Sequence, residues 1–504
     1  MAVIAVDAGT TMIKAVGYDE EGNEVVVVRQ ATTVLHPRSG WAEQDMLAVW
    51  DAVVFAVRGV HRKLNAEIDY IALTAQGDGS WLVDDAGRPT GPAILWNDAR
   101  AADIVAGWQA EGTLERAFAI NGSQTFPGLP NAILTWMQQN DPERLARSSS
   151  TLTCGGWLFF QLTDRRAVDR SDGAAPFMNV TTLTYSDELF AMYDMPWARR
   201  LFPPLLDDTD RTSPLSARAA HELGLPEGLP VVLSSYDIAS TSIGMGAVNA
   251  GQACSILGTT LCTEIVTDRT RVEERSTGLT IPLGVPGMYL AAFPTLAGGE
   301  VVQWACTALG LDHPADVATL ASQAPRGADG LQFLPYLSPA GERAPFLAGN
   351  ARGSFIGLSL EHGREHIARA VLEGLTFVIR DCLAAAPVRP SELRVCGGGA
   401  ANGLWLQLIA DVTGIPVIRS ADTEVGAKGA FLLGLVATGG ADSIAAVADY
   451  YVRVRDIFEP DTDAAVLYET LYDDFLATRD DLSRTWKRSA QLRERVRSSA
   501  SSAT

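Results

Sequence analysis

The feature that most constrains this chain is a short phrase that occurs near its start and again, altered, past its midpoint. An apolar run, Val3-Ile4-Ala5-Val6, ends in Asp7-Ala8-Gly9-Thr10-Thr11 and resumes through Met12-Ile13-Lys14-Ala15-Val16. A second run, Ala253-Cys254-Ser255-Ile256-Leu257, ends in Gly258-Thr259-Thr260 and resumes through Leu261-Cys262-Thr263-Glu264-Ile265-Val266. Each reads as a β-hairpin with a Gly-Thr-Thr tip, because apolar and β-branched residues flank a turn that glycine makes at little cost. A tight glycine turn lets backbone N–H groups approach a ligand, and the hydroxyls add donors, so each tip is a candidate phosphate loop. A single tip of this kind is equally an ordinary hairpin. Two of them, one in each half, point to related domains that share a nucleotide.

Length and charge narrow the class. A chain of 504 residues exceeds what one hydrophobic core supports, so two domains are expected. A net charge of −20 argues against a nucleic-acid partner and against an anionic membrane surface. The cysteines at 154, 254, 262, 306, 382 and 396 are scattered without a CxxC pair, as expected of buried, reduced thiols. No apolar stretch approaches the roughly 20 residues of a membrane span, and no signal-like segment precedes the first strand, so a cytoplasmic protein is expected.

Strands and helices alternate along the chain. Val25–Gln30 completes a first sheet segment, and 45–61 carries Met46, Val49, Trp50, Val53, Val54 and Val57 at helical spacing. Tyr70-Ile71-Ala72-Leu73-Thr74 is a buried strand that runs into Gln76-Gly77-Asp78-Gly79. The second half repeats the order hairpin, strand, helix at a period too long for a solenoid, as a duplicated domain would. The boundaries read as 1–246, 247–483 and a basic, Ser/Ala-rich tail over 484–504, expected to be frayed or disordered.

Further groups carry chemistry. Asp237 comes after the strand Val231–Ser235, where a carboxylate could accept the proton of an attacking hydroxyl in phosphoryl transfer or could cap a helix. Asp7 could hold Mg2+-bound water or satisfy turn N–H groups, and Lys14 could neutralise a phosphate or sit in solvent. Gln76-Gly77-Asp78-Gly79 and Trp96-Asn97-Asp98-Ala99-Arg100 combine polar partners with an aromatic wall, the mixture that sugar sites need. Each is also a plausible pair of turns. Cys396-Gly397-Gly398-Gly399-Ala400-Ala401-Asn402 sits between a strand and the helix Gly403–Thr413, an arrangement that admits a nucleotide to the backbone or simply makes a tight connection. His362 and His366 have the i,i+4 spacing of metal ligands, but no third ligand is near and Arg364 with Glu365 reads as a solvated face.

Taken in order, Asp7–Thr11, Gln76–Gly79, Trp96–Arg100, Asp237, Gly258–Thr260 and Gly397–Asn402 resemble the FGGY family of carbohydrate kinases. So do Gly341-Glu342-Arg343-Ala344-Pro345, Ala351-Arg352-Gly353, His366–Ala370 with Glu373-Gly374, and Phe458-Glu459-Pro460-Asp461; the likeness spans about residues 1 to 480. It implies an α/β fold of two ribonuclease-H-like domains of the actin and hexokinase type, with ATP and sugar in the cleft between them. It makes Asp237 the catalytic base and a substrate contact, and gives Asp7 and Asp237 to Mg2+ through water and phosphate. Thr10, Thr11, Gly258, Thr259 and Thr260 become phosphate contacts alongside Gly9 and Lys14. Gly298, Gly299, Gly398, Gly399 and Asn402 line the adenosine pocket.

On the substrate side the resemblance implies contacts from Gln76, Gly77, Asp78, Trp96, Asn97, Asp98 and Arg100. D-xylulose kinases of the family usually carry Met-His-Gly where this chain has Gly77-Asp78-Gly79, and glycerol kinases carry Arg-Glu at the first two of those positions. Gln-Gly-Asp-Gly is more similar to the L-xylulose and erythritol kinase branches. Ile133 stands where the family's first signature normally has lysine, so no residue role is carried over there. The implied reaction is ATP-dependent phosphorylation of a terminal hydroxyl on a xylulose-like pentulose, with an erythritol- or glycerol-type polyol as the alternative. A homodimer is compatible with the family. A different class, a non-catalytic actin-like module that senses sugar or ATP, predicts no need for Asp237 or the polar clusters.

Overall fold

Residues 3–8 are hydrophobic or small except for Asp7, and in the computed structural model, which describes residues 2–272 and 276–501, they form the central strand of a six-stranded sheet. Val3–Ala8 pairs antiparallel with Met12–Tyr18 and parallel with Tyr70–Ala75. Met12–Tyr18 pairs in turn with Glu24–Ala31, and Tyr70–Ala75 runs parallel to Pro230–Leu233. The short strand Thr212–Pro214 closes the far edge. Strands buried on both faces read as continuous apolar runs, which is why Tyr70–Ala75 shows no alternation and is buried throughout.

The helix Met46–Leu64 lies on this sheet. Asp45 caps it, its side chain accepting from the Leu47 and Ala48 N–H groups, and Met46, Val49, Trp50, Val53, Val57 and Val60 are buried. The interface is close enough that a Cβ on Gly59 would meet the Val28 side chain at 3.1 Å.

The chain divides into two compact units. One comprises residues 1–250, 266–291 and 422–453, the other 251–265, 292–421 and 454–504. This partition differs from a single cut near residue 246, because two later segments pack into the first unit. The helix Val425–Ala437 shows why: it crosses the helix Asp237–Gly244 with glycines at the contact. A Cβ on Gly429 would stand 1.8 Å from the Ser240 carbonyl oxygen, and one on Gly244 would stand 1.9 Å from that of Val425.

In the second unit, Gln252–Leu257 pairs antiparallel with Leu261–Thr267 and parallel with Glu392–Cys396. Glu392–Cys396 runs parallel to Val417–Ser420, and Val454–Phe458 joins antiparallel. The hairpin, its parallel neighbour and the helix Gly403–Thr413 thus repeat the logic of the first unit. The basic segment from 484 continues the helix Thr462–Ser501, with Trp486 buried on Tyr336. Residues 502–504 of that tail lie outside the described residues. All six cysteines are buried and unpaired.

Candidate active site

Val3–Ala8, Tyr70–Ala75 and Pro230–Leu233 run parallel, so their carboxyl ends lie on one edge of the sheet, the usual ligand edge of an open α/β sheet. Each of these strands leads directly into candidate residues: Gly9 and Thr10 after the first, Gln76 to Asp78 after the second, Asp237 after the third. The hairpin tip closes with Gly9 donating to the Met12 carbonyl at 3.1 Å, and Thr11 is exposed at the bend.

Asp237 opens the helix Asp237–Gly244, and its Oδ1 accepts from the Ile238 N–H at 2.8 Å. Burial is the main force on its carboxyl, pushing it up to about 8; the charges of Asp7 and Asp78 push the same way against that one backbone bond. Asp7 is also raised, chiefly by burial, with Lys14 opposing and Glu424 adding to the rise. Lys14 is the ladder partner of Asp7; its Nζ lies 3.6 Å from Asp7 and 3.0 Å from Glu424. Burial works against the Lys14 charge, yet the two carboxylates more than offset it. Arg29 also pairs with Glu424. Asp7 faces the first turn of the helix Val425–Ala437, where a Cβ on Gly426 would lie 3.1 Å from its Oδ2.

The backbone that presents Asp237 is held from several sides. Thr74 and Ser240 hydroxyls donate to the Ser235 carbonyl at 2.8 and 2.6 Å. The Tyr236 N–H donates to Ser171 Oγ at 3.0 Å, Ser171 is bonded to Asp169, and Asp169 forms a buried ion pair with Arg211 at 2.6 Å.

On the substrate side, several candidates turn inward. Gln76 is buried; it accepts from Thr10 Oγ1 at 2.7 Å and donates to Gln44 at 2.8 Å. Trp96 Nε1 donates to the same Thr10 hydroxyl at 3.0 Å, so Thr10 joins the two halves of the polar cluster. Asp98 and Arg100 are bonded to each other and buried, with Arg100 also reaching Glu43 at 2.7 Å and lying 3.8 Å from the Trp41 ring centre. These groups set the frame. Asp78, Trp96 and Asp237 are only partly covered, and Asn97 is an exposed turn residue that joins none of these bonds.

Gly77 is required where it stands: a Cβ there would come 2.4 Å from the Tyr236 ring. Asp78 adopts the left-handed backbone region with φ 56°, and its N–H donates to Asp172 at 3.2 Å. Asp172, whose carboxyl burial pushes well above the usual range, is a site residue that no motif announced. Glu424 is another. Both come from segments distant in sequence, and neither stands in a pattern that separates it from surface carboxylates.

The second unit holds a cavity of about 730 Å3. Gly258, Thr259, Gly299, Gly398, Gly399 and Asn402 all line it, joined by Ala318, Leu372 and Trp405, which the motifs did not identify. The hairpin tip docks on the start of the helix Gly299–Ala308: Gly299 and Glu300 N–H groups donate to the Gly258 and Thr259 carbonyls at 2.9 and 3.0 Å. Thr260 lies behind this contact, its Cα 2.4 Å from where a Gly298 Cβ would be. Asn402 caps the helix Gly403–Thr413, accepting from the Leu404 and Trp405 N–H groups. A Cβ on Gly399 would meet the Trp405 ring at 2.6 Å, so the Gly-rich turn keeps the cavity wall flat and close to backbone.

His362 and His366 are taken up locally. His362 Nδ1 accepts from the Ser359 N–H at 2.9 Å, and His366 Nδ1 accepts from that of Gly363 at 3.0 Å. Among the described residues no three His, Cys, Asp or Glu side chains are placed to chelate an ion. Mg2+ bound by one or two carboxylates with substrate phosphates needs no such cage. Asp7 and Asp237 have the chemistry for that role: both are hard oxygen donors, and burial holds both carboxyls above the usual range. Among the described residues no helix is long and apolar enough to cross a membrane.

Two α/β units, each with parallel strands ending in glycine-bearing turns, make the two-domain fold of the actin/hexokinase type. The N-terminal domain model of the FGGY family of carbohydrate kinases matches residues 2–244 and the C-terminal one residues 253–438, and the chain belongs to that family. It is 32% identical to an erythritol kinase of Brucella abortus, over 97% of this chain and 98% of that one. It is 29% identical to the xylulose kinase of Escherichia coli, over 88% and 91%. The crystal structure of xylulose kinase from Rhodospirillum rubrum superposes with a TM-score of 0.88 at 28% identity, covering 97% of this chain and all of that one. The protein is an ATP-dependent sugar or polyol kinase.

Proposed function

We propose that the chain transfers the γ-phosphoryl group of ATP to a terminal hydroxyl of a pentulose or small polyol, with Asp237 as the base. The observation that carries this reading is the placement of Asp237. It opens the helix that follows a parallel strand, and its carboxyl is raised by burial and feels the charges of Asp7 and Asp78. In the proposed reaction the acceptor hydroxyl attacks phosphorus, its proton passes to Asp237, and the bond from phosphorus to the β-γ bridging oxygen breaks to release ADP. In the first unit Lys14 and the Gly9–Thr11 tip are the candidate phosphate contacts; in the second, the cavity walled by Gly399, Asn402 and Trp405 is the candidate adenosine site. Asp7 and Asp237 would hold Mg2+, which when bound supplies charge neutralisation for the phosphates.

Asp78 offers acceptor oxygens for two neighbouring hydroxyls, and the Trp96 face covers the carbon skeleton. Asp98, Arg100 and Gln76 set the position of these contacts. The erythritol kinase and xylulose kinase relatives support a substrate of four or five carbons. An ADP-release assay with Mg-ATP across D- and L-xylulose, D- and L-ribulose, erythritol, glycerol and the pentitols tests the reading. Turnover confined to one or two of these supports it, and turnover by Asp237→Asn should fall by about 10²-fold or more while ATP binding persists. Full turnover in that variant removes Asp237 from the role.

A further inference from the structure

The landmark Ala351-Arg352-Gly353 plays no part in the kinase site, yet Arg352 lines a second cavity of about 500 Å3. Its other walls are Leu337, Pro339, Gly349, Asn350 and, from the C-terminal helix, Ala490 and Arg493. The helix is fastened there independently of these residues: Arg479 pairs with Asp381 at 2.5 Å and lies 4.7 Å from the Phe346 ring centre, and Trp486 packs edge-on to Tyr336.

The electrostatics of this cavity are unusual for so acidic a chain. Elsewhere in the unit arginines meet carboxylates: Arg369 pairs with Glu373, Arg380 with Glu469, Arg419 with Asp456. Arg352 instead donates to the carbonyls of Gly349, Ala351 and Pro339, neutral acceptors that fix its plane and leave its charge uncompensated. Arg493 Nη2 is shielded from solvent and has no hydrogen-bond partner among the described residues. Neither guanidinium forms an ion pair with a carboxylate in the described residues. Burial and the neighbouring Arg493 charge both lower Arg352. Two cations facing one cavity, with a shielded donor left over, make an arrangement that an anion completes.

We infer that the cavity between Arg352 and Arg493 is an anion site, distinct from the nucleotide cavity, that takes the phosphate group of a small phosphorylated metabolite. Guanidinium forks match phosphate oxygens in pairs, which favours phosphate over a halide. Leu337, Pro339 and Ala490 give the carbon skeleton an apolar wall, and Asn350 offers it an amide. A ligand here bridges the 337–352 loop and the C-terminal helix.

The test is calorimetric titration of the full chain, with its nucleotide cavity saturated by ADP, using inorganic phosphate in one arm and glycerol phosphate in the other. Both should bind the wild type, with glycerol phosphate tighter because its skeleton is covered. Arg493→Gln should weaken both by about tenfold or more, Arg493→Lys should restore part of the loss, and turnover without added ligand should be unchanged. Equal affinity in wild type and Arg493→Gln would overturn the proposal, as would no binding to the wild type at millimolar ligand.

Discussion

Asp237 carries a cost that can be read in the fold's response to pH. Burial pushes its carboxyl up to about 8 in the folded chain, from an ordinary value of 3.8. Between those values the folded state keeps a proton that the unfolded chain releases, so stability falls as pH rises through that window. Asp237→Asn removes the term. Thermal scans should therefore find the variant a few degrees more stable than wild type at pH 8, with the difference gone near pH 4; a variant no more stable at pH 8 would show that the carboxyl is not strained. At this scale the sequence is a good guide to which groups stand at or just past the strand ends. Asp7, Asp78, Asp237 and the glycine turns all sit at the ends of apolar strands, and a strand end is visible in a one-dimensional pattern. It is a poor guide to support. Asp172, Glu424 and the Ser171–Asp169–Arg211 chain gain their meaning only from packing across long sequence separations. Thr10 and Arg100 illustrate the same point: the resemblance implies ligand contacts there, and the bonds of their side chains to Gln76, Trp96, Asp98 and Glu43 come only from packing.

Among the elements, the crossing of the helices Asp237–Gly244 and Val425–Ala437 has the least room. Gly429 faces the Ser240 carbonyl and Gly244 faces that of Val425, backbone against backbone, so no side chain can turn aside. Gly429→Ala should cost about 1–3 kcal/mol or more as the helices separate. It should also reduce turnover, because the same two helices present Asp237 and flank Asp7. Chemical denaturation with a parallel activity assay checks both, and a fully stable, fully active variant would mean the helices can part without consequence. The hairpins, the helix from Met46 and the strand–turn–helix around Gly397 are legible in the sequence because their periodicity and glycine punctuation are local. This crossing is not, since glycines within an apolar helix look the same whether they face a backbone or a side chain.

For the whole molecule, the partition into units is the feature that sequence order conceals. A boundary near residue 246 is suggested by the duplicated hairpin, and the family's domain models meet close by. Yet the first unit includes residues 266–291 and 422–453. A fragment of residues 1–250 should therefore be soluble only poorly and lack a cooperative melt, because the face of Asp237–Gly244 that carries Ser240, Thr241 and Gly244 would lose the Val425 helix. Circular dichroism of that fragment, with and without the 422–453 segment added as a peptide, checks the point.

The helix Val425–Ala437 also sets a schedule for synthesis. The ribosome completes the second unit's hairpin and most of its parallel strands before it releases the helix that seals the first. The segments that carry Asp7 and Asp237 are made early, but the surface they rest on arrives much later. Through most of translation the acidic pocket thus stands open, and the nascent chain depends on chaperones or on speed of elongation to keep that uncovered helix face from finding another partner.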